Sequence, residues 1–290
     1  RQKGKSVQIV VLSDDRMPLR PDAIGGLSRS LWDLADGLAA RGHAVTLVAA
    51  RGSVFPRGQL ITWGAGAMAI EADAWLDGSH AHLLSQARPD LPVLNRIGDL
   101  ECAWKPPNVV VATEYMRGYF PNARIIKTGV KDEGVFNPTP GNHLLFMGGT
   151  IGRKGPEIAR TVARTAGFEL RAYGEGLAPL RGKEKWEVLS SALALLHPSL
   201  SDAAPRLPLE AATVGTPTVC LDITGAAEHV QHCVSGFICE DPVEMVEAVR
   251  DAALLDRRAI REWVLEEHAF DRMIDAYEAA LASVADGERW

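Results

Sequence analysis

The sequence predicts an α/β protein made of two domains, each built on a parallel sheet. Short apolar segments rich in β-branched residues alternate with longer segments of helical periodicity along most of the chain. Units of this kind form parallel strands joined by crossover helices. The alternation is interrupted at residues 137–141, where two prolines and a glycine oppose regular structure. Because 290 residues suffice for two domains with a core each, we place these domains at residues 1–138 and 139–268.

The first domain opens with a strand, a loop, a helix and a second strand. Residues 7–12 are apolar and largely β-branched, which indicates a buried strand. A helix is expected from about Leu27, because the apolar residues that follow recur on one helical face and Gly42 supplies a C-terminal stop. Further strands are expected at residues 44–48, 93–97 and 109–112.

The second domain repeats the alternation. A glycine-rich loop precedes a helix that is predicted over residues 156–166. Strands are expected at residues 144–147, 168–173, 192–196 and 217–221. Residues 269–290 carry one apolar helical stripe, which predicts an amphipathic C-terminal helix that packs back toward the first domain. The stripe consists of Phe270, Met273, Ile274, Tyr277 and Leu281.

Composition and charge restrict the possible functions. The net charge is −6 and the chain has no long basic stripe beyond Arg1, Lys3 and Lys5, so nucleic-acid binding has little electrostatic support. The four cysteines lack the spacing of a metal site or a disulfide framework. No apolar run is long enough to cross a bilayer, and the basic start is not followed by an apolar signal segment. We therefore expect a protein of the reducing cytoplasm, with no metal and no nucleic acid bound.

The loop before the first helix contains paired glycines. Gly25 and Gly26 follow Ile24 and would allow backbone amides to approach an anion at the helix N-terminus. A tight turn that needs positive φ is the alternative explanation of the pair.

The corresponding loop of the second domain is richer in chemistry. Gly149 precedes Arg153 and Lys154, and a helix begins directly afterwards. Cations beside a helix N-terminus would neutralise a diphosphate while free amides bind its oxygens. A solvated pair of surface cations is the alternative.

Two carboxylates follow the strand predicted at residues 192–196. Asp202 comes after its end, and Glu210 lies eight residues later, at the start of a helix read as residues 209–214. A carboxylate there can accept hydrogen bonds from two hydroxyls of a sugar or ribose, while the intervening loop offers amides. The alternative is an acidic residue in the first turn of a helix, stabilised by the helix dipole.

Taken in order, these segments resemble the family-four retaining glycosyltransferases of GT-B fold, most strongly over residues 142–240. The stretch FMGGTIGRKG resembles the family's phosphate loop with Lys154 in place, Gly149 where an arginine is expected, and Arg153 as its substitute. Asp202 and Glu210 resemble the paired acidic element, with Asp202 for a glutamate and Pro205 for a glycine. The later landmarks are Gly215-Thr216-Pro217, Glu228 and Gly236-Phe237.

The N-terminal half also resembles the family. Gly25 and Gly26 match its opening unit, and the segment from Asp77 through His80 to His82 resembles an Asp-x-x-His-x-His strand end. A histidine that the family places near Gly98 is absent, and Arg96 and Asp99 stand there instead.

The resemblance implies two Rossmann-like domains that face each other across a cleft. It also implies a metal-independent transferase that uses a UDP or GDP sugar as co-substrate and needs no other cofactor. The implied acceptor is a lipid, a glycan or a small natural product. Peripheral contact of the protein with a membrane would fit a lipid acceptor. Its implied catalytic residues are Lys154, Arg153, Asp202 and His80. Its implied donor-binding residues are Gly25, Gly26, Gly149, Lys154, Ala204, Arg206, Leu207 and Glu210.

Three alternatives stay open. Residues 64–69 imitate the dinucleotide fingerprint G-x-G-x-x-A, which would suit an NAD-dependent oxidoreductase, but they do not lie at the first strand-to-helix turn. His80 and His82 could form half of a metal site. The altered family residues also allow a nucleotide-sugar-binding protein with a degenerate catalytic site.

Overall fold

The strands form two separate parallel sheets in the computed structural model. The structure describes residues 6–23, 25–64, 66–100, 102 and 104–290. By their contacts the residues divide into two compact units. The first contains the described residues up to Ala112, then Met116–Lys127 and Asp271–Trp290. The second contains Thr113–Tyr115 and Thr128–Phe270. The predicted α/β class with two parallel sheets is confirmed.

The first sheet has seven strands in the order β3-β2-β1-β4-β5-β6-β7. Residues 9–12, in the third strand of this order, are at most 2% exposed, because a parallel sheet is covered on both faces. The strands are β1 (Gln8–Leu12), β2 (Ala44–Ala49), β3 (Gln59–Thr62), β4 (Ala74–Asp77), β5 (Val93–Arg96), β6 (Val109–Val111) and β7 (Arg124–Ile125). The helices of this part of the chain are α1 (Gly26–Ala40), α2 (Leu84–Ala87) and α3 (Glu114–Arg117).

The second sheet has five strands in the order β12-β11-β10-β8-β9. Its core is apolar on both faces, as Leu144, Leu145, Leu195 and Leu196 are fully buried. The strands are β8 (His143–Met147), β9 (Glu169–Tyr173), β10 (Ala194–His197), β11 (Thr218–Leu221) and β12 (Gly236–Cys239). The helices are α4 (Pro156–Ala166), α5 (Gly182–Ser191), α6 (Arg206–Thr213), α7 (Pro242–Ala252) and α8 (Arg257–Glu267). Each strand predicted from the sequence is present, with its ends shifted by two residues at most, and α4 has the predicted bounds.

The last helix, α9 (Phe270–Ala285), completes the first unit from Asp271 onward. Four of the five residues of the predicted stripe are buried there, namely Met273, Ile274, Tyr277 and Leu281, whereas Phe270 is half-buried. Arg41, at the end of α1, bonds the carboxylates of Asp275 and Glu278, and the ring of His43 lies 2.9 Å from Glu278. The C-terminal helix therefore packs onto the N-terminal residues, as the stripe predicted.

The proline-rich segment at residues 137–141 lies within the second unit. The buried guanidinium of Arg257 donates to the carbonyl of Asn137 at 2.7 Å and to that of Ser190 at 2.9 Å. Burial lowers the pKa of Arg257 to about 10. Because these bonds tie the segment to the second unit, the contact units divide between Lys127 and Thr128 rather than at the sequence-based boundary of residue 138.

Some sequence features lie outside the described residues. These are Arg1, Lys3, Lys5 and Ile24, and also Ala65, which belongs to the dinucleotide-like stretch at residues 64–69. The described remainder of that stretch forms one 3₁₀ turn, Ala67–Ala69, in place of the helix that a dinucleotide fingerprint requires. Each of the four cysteines, all of which the structure describes, is a free thiol. In the part of the chain that the structure describes, no helix has both the length and the apolar character to cross a membrane.

Candidate functional site

The glycine loop after β8 uses its amides internally. The N–H groups of Gly148 and Gly149 donate to the carbonyl of Tyr173 at 3.1 and 3.0 Å, and that of Thr150 donates to Glu175 at 2.8 Å. β9 and the turn after it thus already accept these three N–H groups, and the binding of a diphosphate by this loop stays a prediction. Gly149 has φ 67°, and a Cβ there would lie 2.1 Å from the Glu175 carbonyl oxygen. The backbone thus excludes the arginine that the family resemblance placed at this position.

The cations of this loop lie in one 3₁₀ turn, Gly152–Lys154, directly before α4. The ammonium of Lys154 bonds the carboxylate of Asp202. Arg153 has an exposed side chain, and its carbonyl accepts the N–H of Leu200 at 2.8 Å. Because β8 and β10 are neighbours in the sheet, the loops that leave their carboxyl ends meet here.

Asp202 is the centre of a charge cluster. Its side chain is 16% exposed, and Nε2 of His197 lies 3.4 Å from the Oδ2 atom that Lys154 also contacts. Burial raises the pKa of Asp202, but His197 and Lys154 lower it by more, so the pKa lies below its ordinary value. The carboxylate is therefore charged at neutral pH. His197 has no role predicted from the sequence, although its position as the last residue of β10 was a usable signal.

Glu210 lies in the second turn of α6. This helix begins at Arg206 rather than at residue 209, so the reading of Glu210 as a first-turn residue is wrong. The residue is 4% exposed. Nζ of Lys185 lies 2.5 Å from its Oε2 atom, and Nε of Arg206 lies 3.2 Å from its Oε1 atom. The sequence did not identify Lys185, because α5 approaches α6 only through the tertiary fold.

The loop before α6 is fixed by its surroundings. The carbonyl of Ala203 accepts the hydroxyl of Thr113 at 2.9 Å, and the carbonyl of Pro205 lies 2.7 Å from Nδ1 of His229. Pro205 has no N–H, so it removes one donor from the stretch that resemblance assigned to sugar contacts, while Ala204 and Leu207 stay partly exposed. The loop is thus held rigidly beside Arg206.

Glu228 has an anchoring geometry. Its two carboxylate oxygens accept the backbone N–H groups of Glu114 and Tyr115, each at 2.7 Å. Both bonds lie within the second unit. This landmark of the resemblance therefore fixes the start of α3.

A separate pocket lies in the first unit at the carboxyl ends of β1, β4 and β5. Nδ1 of His80 lies 2.8 Å from the carboxylate of Asp99, and the His80 amide donates to Asp14 at 2.9 Å. The side chain of His80 is 41% exposed. The described lining includes Asp14, Ser28, His80, His82, Arg96 and Asp99. Leu27 also lines the pocket and lies in the first turn of α1, which begins at Gly26. The preceding Gly25 has φ 105°, so the geometry of the turn accounts for a glycine at this position.

The two histidines of this segment occupy different environments. β4 ends at Asp77, so the reading of His80 and His82 as strand residues is wrong. His82 is 2% exposed, and burial lowers its pKa to about 4. Burial raises the pKa of Asp77 to about 6, while the amide and hydroxyl of Ser79 donate to the Asp77 carboxylate. Among the described residues, no three His, Cys, Asp or Glu side chains lie close enough together to hold a metal ion.

Sequence comparison places a known family on the second half of the chain. Residues 139–264 match the family described as Glycosyl transferases group 1. Alpha-1,3/1,6-mannosyltransferase ALG2 of Homo sapiens is 32% identical over 82 residues. That match covers 28% of this chain and 20% of the length of the curated relative.

Structural comparison covers nearly the whole chain. AviGT4, a glycosyltransferase involved in avilamycin A biosynthesis, matches with a TM-score of 0.81 and 18% identity over 98% of this chain and 99% of that chain. HepE of Anabaena in complex with UDP matches with a TM-score of 0.75 and 12% identity over 95% of this chain and 100% of that chain. Residues 139–264 thus match the glycosyl transferases group 1, and the chain as a whole has the GT-B fold of glycosyltransferases.

Proposed function

We propose that the protein is a glycosyltransferase that takes a sugar from a nucleotide-diphosphate sugar. The observation that carries this proposal is the pairing of Lys154 with Asp202 at the carboxyl edge of the second sheet, inside the region that matches the family. Ligands of open α/β sheets bind at this edge. HepE, a structural neighbour, is described in complex with UDP and with UDP-glucose, which supports a uridine nucleotide as the donor.

The charges of the site suit a leaving diphosphate. Lys154, with Arg153 as the second cation, would balance the charge that develops when the bond between the sugar C1 and the phosphate oxygen breaks. The electron pair of that bond stays on the phosphate, the acceptor oxygen bonds C1, and its proton passes to a phosphate oxygen. Asp202 would accept a hydrogen bond from a hydroxyl of the transferred sugar, and Glu210 would accept hydrogen bonds from the ribose hydroxyls.

The pairing also offsets the cost of burying charge at this site. An unpaired buried charge is costly, and both Asp202 and Glu210 are paired with a cation. A diphosphate carries more charge than Asp202 alone and would draw Lys154 away from it. Asp202 would keep the nearby ring of His197 as a partner.

The resemblance supports further details of the proposal. These are a retaining, family-four reaction without a metal, a UDP or GDP donor, action in the cytoplasm, and an acceptor that is a lipid, a glycan or a small natural product. In the first unit, the N-terminus of α1 at Gly25 and Gly26 would face an anionic group. His80, held by Asp99, would contact a substrate hydroxyl in the pocket.

A ligand screen tests the donor class. UDP and GDP are compared with NADH by thermal shift, each with and without EDTA, since a ligand that binds the native state raises its melting temperature. We expect stabilisation by a nucleoside diphosphate that EDTA leaves unchanged. Stabilisation by NADH alone would return the assignment to an oxidoreductase.

A binding protein without transferase activity is the second candidate. It is favoured by Gly149, whose backbone excludes an arginine, and by Pro205, which lacks an N–H. Release of UDP from UDP-glucose, with lipid, glycan and small-molecule acceptors supplied in turn, separates the two candidates. Tight UDP-glucose binding without turnover on any acceptor or on water would favour the binding protein.

A further inference from the structure

The carboxylate of Glu210 is covered by two cations in the second unit. Lys185 on α5 contacts Oε2, and Arg206 contacts Oε1. The side chains of Glu210 and Arg206 are 5% and 4% exposed, whereas that of Lys185 is 15% exposed. A ligand that approaches this carboxylate from solvent therefore meets the ammonium of Lys185 first.

The position of Lys185 is fixed from two sides. Nζ lies 2.5 Å from the Glu210 carboxylate and 5.0 Å from the ring centroid of Trp186. An aromatic face at this distance attracts a cation. The ammonium is thus held beside Glu210 by charge pairing and by the ring.

An ammonium beside a carboxylate is a suitable ligand for a hydroxyl. The ammonium has three N–H donors, and each carboxylate oxygen has two acceptor positions, so both groups can bond a hydroxyl while they stay paired with each other. A hydroxyl can accept a hydrogen bond from Lys185 and donate one to Glu210 at the same time. Both bonds are charge-assisted and stronger than bonds between neutral groups.

We propose that Lys185 is a ligand of the donor ribose and binds the ribose diol together with Glu210. The inference rests on the proposed function, which brings a nucleotide to this carboxylate. It assigns to Lys185 the discrimination between ribose and deoxyribose that Glu210 alone would otherwise carry. The opposite arrangement, in which Lys185 blocks Glu210 and must leave before the donor binds, predicts the opposite effect of removing the ammonium.

The sign of the effect is tested by calorimetric titration of UDP, 2′-deoxy-UDP and 3′-deoxy-UDP. Lys185→Met keeps the apolar stem and removes the charge. We expect it to weaken UDP binding roughly ten- to a hundredfold, the scale of one charge-assisted hydrogen bond. The deoxynucleotide that lacks the contacted hydroxyl should lose less, so its difference from UDP shrinks. Unchanged or tighter UDP binding by Lys185→Met would overturn the inference.

The same helix offers a matched control. Lys183 is 84% exposed and pairs with Glu187 on the surface, so Lys183→Met removes an equal charge from α5 without touching Glu210. It should bind all three nucleotides like the wild type. An equal loss in both variants would point to the general charge of α5 and would overturn the role of Lys185.

Folding is checked by the melting temperature of each variant. If Lys185→Met does not fold, Lys185→Gln supplies the same comparison, because it keeps a neutral donor. We expect weaker UDP binding and a reduced deoxyribose difference, and wild-type values for both would overturn the inference. A wild type that binds no nucleoside diphosphate overturns the proposed function as well, whereas a wild type that binds UDP beside an unaffected Lys185→Met overturns only the role of Lys185.

Discussion

Lys154 and Asp202 form an ion pair although 48 positions separate them in the sequence. β8 and β10 bring them together, since these strands are hydrogen-bonded neighbours whose loops leave the same edge of the sheet. His197, the last residue of β10, adds a ring nitrogen 3.4 Å from the shared Oδ2 atom. The cluster therefore depends on the order of strands in the sheet and not on spacing within one loop.

The first prediction concerns the charge of Lys154. Lys154→Ala should lower the turnover of the proposed transfer by ~10²-fold or more, the scale for losing one preorganised electrostatic contact. Arg153→Ala should have a smaller effect, because the side chain of Arg153 is exposed, whereas the ammonium of Lys154 contacts the carboxylate of Asp202. The turnover numbers of the two variants, measured by steady-state kinetics, show which of the two cations contributes more to the transfer. Full activity in Lys154→Ala would show that this lysine is only a surface charge.

The second prediction concerns Gly149. Its φ is 67°, and a Cβ would meet the backbone of Glu175, so Gly149→Ala forces the loop after β8 to move. We expect a loss of roughly 1–3 kcal/mol in the free energy of unfolding, the cost of a residue held in an unfavourable conformation. Urea denaturation measures it.

Gly152→Ala is the matched control, because a Cβ at Gly152 would have open space around it. It lies in the same loop and should leave the free energy of unfolding nearly unchanged. Equal stability of the two variants would contradict the close contact at Gly149.

Sequence patterns succeeded where structure is local. The helix predicted at residues 156–166 depends on its own segment, which begins with Pro156 and ends before Gly167, and α4 has these bounds. The contacts that could not be predicted from the sequence depend on the tertiary fold. That Lys185 contacts Glu210 depends on how α5 packs against α6, and that the amides of Gly148 and Gly149 are occupied depends on the position of Tyr173. No pattern within either segment contains this information.

The third prediction concerns the buried carboxyl of Asp77. Burial raises its pKa from 3.8 to about 6. A group whose pKa is raised in the folded state stabilises fully below its unfolded pKa, and this stabilisation is lost as the pH rises through the folded value. Between pH 4 and pH 6 the ionisation of Asp77 should therefore destabilise the protein, by an amount on the order of 3 kcal/mol. Asp77→Asn removes this ionisation, so its free energy of unfolding relative to wild type should rise between pH 4 and pH 6.

His82 acts in the opposite direction over an overlapping range. Its pKa is lowered to about 4, so its contribution is present above the ordinary histidine pKa and is lost as the pH falls through the folded value. The measurement is therefore the difference between Asp77→Asn and wild type in urea denaturation at several pH values, in which the His82 contribution cancels to first order. A constant difference between pH 4 and pH 7 would contradict the raised pKa of Asp77.

The last prediction concerns Glu210, on which the nucleotide assignment depends. Glu210→Gln keeps the size of the side chain and one acceptor oxygen but loses charge-assisted bonding, which contributes about 1.5–3 kcal/mol per bond. It also removes the carboxylate charge that Lys185 and Arg206 contact, so a fall in UDP affinity alone would not identify the ribose contact. Calorimetric titration with UDP and 2′-deoxy-UDP on both proteins forms a cycle that isolates the coupling. We expect wild type to prefer UDP and the variant to lose most of that preference, because both changes remove the same interaction. Equal weakening of both nucleotides would mean that Glu210 does not bind the 2′-hydroxyl and acts only through the charge it shares with Lys185.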